Sequence, residues 1–259
     1  MIDCGRYAAK RTVGDELTVG ADIFRDGHDV LRAVVRYCAP GAHRWREAEM
    51  HRIDAHLDGD RWEGSFEVDR TGRWLWTIEA WTDAFATWRG EFERKIGAGQ
   101  RDLSGELSEG VVLLEQAAQR AKKGPDHTLI ARAMKVLTDP AKPDAVKCEA
   151  ALDTRLLEAV ERHPDRSDTT TLEQRLVVDV DRERARFGTW YELFPRSWGG
   201  LNGVATQVPE LAELGFDVLY LPPVHPIGHT NRKGTNNALV AATGDPGSPW
   251  AIGDESGGH

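Results

Sequence analysis

Trp190-Tyr191-Glu192-Leu193-Phe194 and, further on, Phe216-Asp217-Val218-Leu219-Tyr220-Leu221 are the two stretches on which the reading of the fold turns. Each is short, almost continuously apolar and closed by proline, Pro195 in one case and Pro222-Pro223 in the other. A strand buried on both faces reads this way, whereas a half-exposed strand alternates. Between them, residues 207–214 predict a short helix opened by Val208-Pro209 and stopped by Gly215. Strand, helix and strand in that order make a βαβ unit of a parallel sheet. One such unit cannot close a sheet or cover its faces. A whole (β/α)8 TIM barrel takes about 250 residues, and far fewer than that follow Gly188. Residues 189–259 are therefore expected to be the truncated start of such a barrel.

Working back toward the N-terminus, Leu176, Val178 and Val180 alternate with Val177, Asp179 and Asp181, which predicts a strand. Residues 100–165 change period. Leu107, Val111, Leu114, Ala118 and Ala121 lie three or four apart, on one helix face. Leu129, Ala133, Val136 and Leu137 suggest a second helix ended by Asp139-Pro140, and Leu152, Leu156, Ala159 and Val160 a third. Residues 12–96 read as strands. Leu17, Val19, Ala21 and Ile23 alternate with polar neighbours, as do Trp62, Phe66 and Val68, and then Trp74, Trp76, Ile78 and Ala80. Asp26-Gly27, Asp58-Gly59 and Thr71-Gly72 supply turns. The expected architecture is a multidomain β plus α/β chain. Residues 1–99 and 166–188 would form an immunoglobulin-like β-sandwich, residues 100–165 a helical-bundle insertion, and residues 189–259 the opening of the barrel.

Composition excludes several function classes. Against 33 Lys and Arg stand 42 Asp and Glu, a net charge of −9, and no basic stripe alternates with aromatics. Nucleic acid is not the expected partner. No apolar run approaches a membrane span, and the opening Met1-Ile2-Asp3-Cys4-Gly5-Arg6 has no apolar core of a secretion signal. Cys4, Cys38 and Cys148 are odd in number and widely spaced, as expected for reduced thiols in a cytoplasmic protein rather than for a metal site. The chain holds 9 Trp. Trp62, Trp74 and Trp76 share the apolar parity of their strands and are assigned to the core, whereas Trp81 falls on the opposite parity and is a candidate for the surface.

Beyond Pro222-Pro223 runs a loop rich in Gly, Pro and Asn. His225 and His229 are four apart, but Pro226 and Gly228 between them deny the helix that would aim both rings at one metal. Gly244-Asp245-Pro246-Gly247-Ser248-Pro249 lacks the Gly-Lys-Ser/Thr ending of a phosphate loop and reads as a proline-stiffened turn. Arg232-Lys233-Gly234-Thr235-Asn236-Asn237 stands out because it follows the C-terminal end of a parallel strand, the rim where barrels bind substrate. Lysine and asparagine donate to hydroxyls, and glycine admits a close approach. A solvated basic turn is the competing reading. Glu192 and Asp217 lie inside strands and are assigned to structural hydrogen bonds, not catalysis.

Trp190 to Ser197 resembles the first barrel strand of the α-amylase superfamily (glycoside hydrolase family 13), and Gly215 to Gly228 its second strand and following loop. Asn231 to Leu239, with Gly244 to Gly253, resembles one branch of it, the bacterial α-1,4-glucan:maltose-1-phosphate maltosyltransferases. Cys4 to Tyr7, Lys10 to Asp15 and Asp22 to Val30 are similar to the N-terminal domain of the same family. The resemblance implies transfer of maltosyl from α-maltose 1-phosphate to the non-reducing end of an α-1,4-glucan, with retention and release of phosphate, by a homodimer needing no metal or organic cofactor. It implies an Asp nucleophile and a Glu acid/base downstream of residue 259, so that the 259 residues alone are expected to be inactive. It places Lys233, and with it Asn237, against the donor sugar. The alternatives are another α-amylase-type hydrolase or branching enzyme, and a non-catalytic glucan-binding or dimerisation module.

Overall fold

The computed structural model describes residues 2–53, 59–225, 227–229, 231–245 and 247–248. It is a mixed α/β structure of two compact units, Met1–Arg182 and Glu183–His259. Asp58 of the expected turn and the sequence from Pro249 onward lie outside the described residues.

The first unit carries eight strands in one sheet: β1 (Ala9–Thr12), β2 (Glu16–Asp22), β3 (Leu31–Cys38), β4 (Arg46–Arg52), β5 (Arg61–Glu67), β6 (Gly72–Thr82), β7 (Thr170–Thr171) and β8 (Leu176–Asp181). Their order is β1-β8-β6-β3-β4-β5-β2, with β7 also on β6. β4 changes partner along its length: residues 46–50 pair with β3, residues 51 and 52 with β5. The two ends of the sheet meet across a shared core. Tyr37 of β3 stacks on Phe66 of β5 at 4.2 Å between ring centres, although those strands do not pair, and Phe66 lies 6.3 Å from Trp74 of β6. Leu17, Val19, Val35, Met50, Trp62, Trp76, Val178 and Val180 complete that core. Trp62, Trp74 and Trp76 are buried there, as their period-two placement requires. The strand after the helices rejoins the sheet: β8 runs antiparallel to β6 and parallel to β1.

Trp81 corrects a sequence expectation. It is buried, not on the surface. The outer face of β6 is covered as well as the inner one. A small cavity walled by Trp81, Leu113, Arg120 and Val160 lies there, and the Arg166 guanidinium sits 4.3 Å from the Trp81 ring. Glu79 on the same face is buried between Arg36 and Arg166.

Helices α1 (Ala84–Gly97), α2 (Ser104–Ala121), α3 (Pro125–Thr138), α4 (Asp144–Ala151) and α5 (Thr154–Glu161) follow β6. The expectation of strands through residue 96 is corrected by α1. Its N-terminus is capped by the Asp83 carboxylate, which accepts from the Ala86 N–H at 2.9 Å. Phe85, Trp88 and Phe92, three and four apart, are its buried face. They pack with Leu114, Ile130 and Leu156 of the later helices. Gly110 of α2 leaves room for the Trp88 ring, since a β-carbon there would fall 2.2 Å from it.

The first turn of α3 carries a pH-sensitive tie. Asp126 accepts from Arg162 Nη2 at 2.7 Å and from Nε at 3.0 Å, and lies 3.1 Å from His163 Nε2. The Arg162 hydrogen bonds, ahead of every other cause, hold the Asp126 carboxyl down at about 2. A depressed folded-state value means stabilisation that is whole above the ordinary aspartate range of about 4 and is lost as pH falls toward 2. Thermal melts of wild type and Asp126→Asn should therefore differ above about pH 4 and converge near pH 2. A gap between the two that stays constant across this range would exclude the tie.

In the second unit, β9 (Trp190–Glu192), α6 (Leu201–Glu213) and β10 (Val218–Tyr220) form a β–α–β unit. The strands are parallel, with Trp190, Tyr191 and Glu192 opposite Val218, Leu219 and Tyr220. The helix starts earlier than the Val208-Pro209 pair suggests. Gly199 and Gly200 turn the chain at φ 76° and 92°, α6 begins at Leu201, and Pro209 lies inside it. Proline there forfeits one backbone bond, which the helix tolerates. Asp217 fastens the start of β10 to the residue before β9: Thr189 donates to it through N–H at 3.1 Å and hydroxyl at 3.2 Å, and Arg184 lies 3.4 Å away. The Thr189 N–H bond, first among the causes, holds the Asp217 carboxyl below the usual range.

Candidate functional site

The candidate residues lie on the loop that leaves the C-terminal end of β10. Within it a one-turn 3-10 helix, Thr235–Asn237, is clasped by Asp245. The Asp245 carboxylate accepts from the Thr235 hydroxyl at 2.6 Å, from the Thr235 N–H at 3.3 Å and from the Ala242 N–H at 2.8 Å. These bonds, the Thr235 hydroxyl first, hold its carboxyl below the ordinary range. The Gly234 N–H donates to the Ala238 carbonyl at 2.9 Å and closes the turn. Asn231, Asn236 and Asn237 sit at φ 53°, 56° and 65°, in the left-handed region that asparagine tolerates better than most residues.

Gly234 is where the turn is tightest. A β-carbon there would fall 2.6 Å from the Val240 carbonyl oxygen and 3.1 Å from Asp245 Oδ2. Lys233 precedes this glycine and is half-buried, while Asn237 closes the 3-10 turn and is exposed. The structure thus puts both on one short turn whose backbone is fixed by Asp245. Such a turn can present an ammonium group and a carboxamide, and so bind hydroxyls. It contains no pair of acids placed for bond cleavage.

The remaining sequence candidates take structural places. The His229 ring lies 3.1 Å from Arg232 Nη1. Among the described residues, no three His, Cys, Asp or Glu side chains converge as a metal site would need. Of the Gly244–Pro249 motif, Pro246 and Pro249 lie outside the described residues. Asp245 in that motif is the residue sequence reasoning missed. Its partner Thr235 is ten positions away, and no local spacing announces the bond. No helix among the described residues is long and apolar enough to cross a membrane.

As a class, this is a β-sheet unit interrupted by a helical bundle and followed by a parallel β–α–β unit with a clasped, lysine- and asparagine-bearing exit loop. The family model for domain N/S of α-1,4-glucan:maltose-1-phosphate maltosyltransferase matches residues 1–182. The chain belongs to the α-1,4-glucan:maltose-1-phosphate maltosyltransferase family. Proteins of that name are similar to all of it. The one from Myxococcus xanthus is 47% identical over 273 aligned positions, covering 100% of this chain and 40% of the relative. That from Chlorobaculum tepidum is 43% identical over 265, covering 100% and 38%. That from Mycobacterium tuberculosis is 37% identical over 292, covering 100% and 41%. The chain thus spans about 40% of the length of the relatives it matches.

Proposed function

We propose that this chain serves an enzyme of α-glucan biosynthesis, glycogen included, that moves maltosyl from α-maltose 1-phosphate to the non-reducing end of an α-1,4-glucan. Phosphate leaves, and the anomeric configuration is retained. The observation that carries this reading is the match of every part of the chain to relatives bearing that name. In finer detail, residues 1–99 and 166–188 are an immunoglobulin-like sandwich, residues 100–165 its helical insertion, and residues 189–259 the opening of a (β/α)8 barrel of the glycoside hydrolase family 13 type. Rings stacked between unpaired strands support the first assignment, and the parallel β9–β10 pair supports the last. The working form is a cytoplasmic homodimer that needs no metal or organic cofactor.

Chemically, a sugar phosphate already carries a good leaving group. What the protein must add is position and charge stabilisation. Lys233 and Asn237 hold the donor sugar from their clasped turn, and the Asp nucleophile and Glu acid/base come from sequence outside these 259 residues. The test is a chimera in which this chain replaces the corresponding part of the Myxococcus xanthus relative. Phosphate release from α-maltose 1-phosphate with growth of the glucan is the expected result. Hydrolysis or branching of plain glucan without phosphate release would favour the hydrolase or branching-enzyme reading instead.

Lys233→Ala in the chimera is expected to raise KM for α-maltose 1-phosphate about tenfold with kcat little changed, the loss of one charged hydrogen bond shared by ground and transition states. Unaltered donor kinetics would remove Lys233 from the site.

A further inference from the structure

The two strands of the second unit end side by side. Glu192, the last residue of β9, stands opposite Tyr220, the last of β10. The Leu193 N–H then donates to the Tyr220 carbonyl at 3.2 Å, so both chains leave from the same end. One exit is the loop that carries Lys233 and Asn237. The other is a one-turn 3-10 helix, Pro195–Trp198. Its backbone is fixed. Proline sets φ at its start. The Ser197 N–H donates to the Phe194 carbonyl at 2.9 Å, and the Gly200 N–H to the Pro195 carbonyl at 2.7 Å. Arg196 is thereby held on an exposed turn at the carboxyl end of the strands, the end where parallel α/β sheets take their ligands.

The charges of this unit are sorted by end. Glu183 lies ahead of β9, and Glu210, Glu213 and Asp217 lie ahead of β10. Arg184 is there too, 3.4 Å from Asp217. Past the strands, the described residues of the two exits carry Arg196, Arg232 and Lys233 against Asp245 alone, with Glu192 at the last position of β9. Asp245 is occupied by the Thr235 hydroxyl and two N–H groups of its own loop. Arg232 Nη1 lies 3.1 Å from the His229 ring. Arg196 and Lys233 have no ion-pair partner among the described residues. In a chain whose net charge is −9, cations kept apart from acids on one rim make a local field that attracts an anion. A phosphate monoester, with a charge of about −2 near pH 7, gains most from it. α-Maltose 1-phosphate is a neutral disaccharide with all its charge at one end. Lys233 is assigned to its sugar, which leaves the charged end for a cation on the neighbouring exit.

We infer, taking the identity of the donor from the proposed function, that Arg196 is a specificity-determining residue that draws in the phosphorylated donor and sets it apart from uncharged sugars. It acts through its field at the mouth of the site, and no bond is made or broken by it. Such a field reaches about 8–10 Å at ordinary ionic strength and fades in salt. It favours the bound donor and the transition state alike, so it lowers KM and leaves kcat unchanged. A donor without charge gains nothing from it.

The chimera is assayed with α-maltose 1-phosphate and with α-maltosyl fluoride, which carries the same sugar and a good leaving group but no charge. At low salt Arg196→Ala is expected to raise KM for the phosphorylated donor about fivefold and Arg196→Glu about twentyfold, with kcat and melting temperature unchanged. Both factors should shrink toward one in about 0.5 M salt. Arg196→Lys should keep the wild-type values, and KM for the fluoride should not move in any variant. Equal losses with both donors, losses indifferent to salt, or kinetics unaltered with both would each overturn the inference. Calorimetric titration of the chimera with α-maltose 1-phosphate and with maltose separates this result from the proposed function. If the chimera transfers nothing but prefers the phosphorylated sugar, and Arg196→Glu abolishes that preference, Arg196 keeps its role and the proposed function fails. Normal transfer with a preference untouched by Arg196→Glu would do the reverse. Binding of neither sugar would reject both.

Discussion

Trp74→Ala is expected to lower the stability of the first unit by about 3–5 kcal/mol, the usual cost of truncating a fully buried large aromatic. Trp74 has no exposed surface, and its indole N–H donates to the Arg70 carbonyl at 3.0 Å. Its ring lies 6.4 Å from Tyr37 and 6.3 Å from Phe66, so it touches both halves of the folded-over sheet. β6 is hydrogen-bonded to β3 on one side and to β8 on the other. Its backbone therefore cannot move inward to fill the space, and the void persists. Urea unfolding followed by fluorescence at several wavelengths measures the loss, which should appear as a lower midpoint at unchanged slope. Phe24→Ala, a ring 72% exposed, should shift the midpoint little by comparison. A cost below about 1.5 kcal/mol for Trp74→Ala would mean that the two halves of the sheet do not share a core.

The residues that made the sheet legible in sequence are the ones that carry its core. In β2, β5, β6 and β8 one face packs on that core, and period two survives in the residue types. Legibility failed where a second surface intervened. The outer face of β6 is also covered, so Trp81 obeys burial while breaking the parity rule. The aromatic run then continues from Trp81 into Phe85, Trp88 and Phe92 with no change in composition, which hides the switch from strand to helix. Only the Asp83 cap marks the boundary. α4 escaped notice because it buries just Ala151 and offers no periodic stripe. The extent of α6 was obscured by Pro209, read as a helix opener although the glycine pair at 199 and 200 does that work. On the loop, the stretch from Arg232 to Asn237 stands out by its place after a parallel strand, and the resemblance to the family is what singles out Lys233 and Asn237 within it. The Asp245 clasp could not be read in this way, because it joins positions that only the folded loop brings together.

Gly234→Ala in the chimera is expected to cut kcat/KM for α-maltose 1-phosphate about a hundredfold, the order of loss that follows a displacement of about 1 Å in a positioning group. The added methyl would meet the Val240 carbonyl oxygen at 2.6 Å, and that neighbour is backbone, not the end of a side chain that can swing aside. It would also press on the Asp245 carboxylate, which three donors hold in place. The strain is relieved by opening the turn between Gly234 and Ala238, which moves Lys233 at one end and Asn237 at the other. Lys233→Ala removes a single contact and leaves the turn intact, so the glycine variant should be the more severe of the two. The melting temperature should barely change, because residues 235–240 are exposed and contribute nothing to either core. The ranking is the discriminating result. If Lys233→Ala proved worse than Gly234→Ala, the lysine would be acting independently of the turn that presents it. If neither variant altered donor kinetics while both remained folded, the loop would be a solvated turn and the donor site would have to be sought elsewhere.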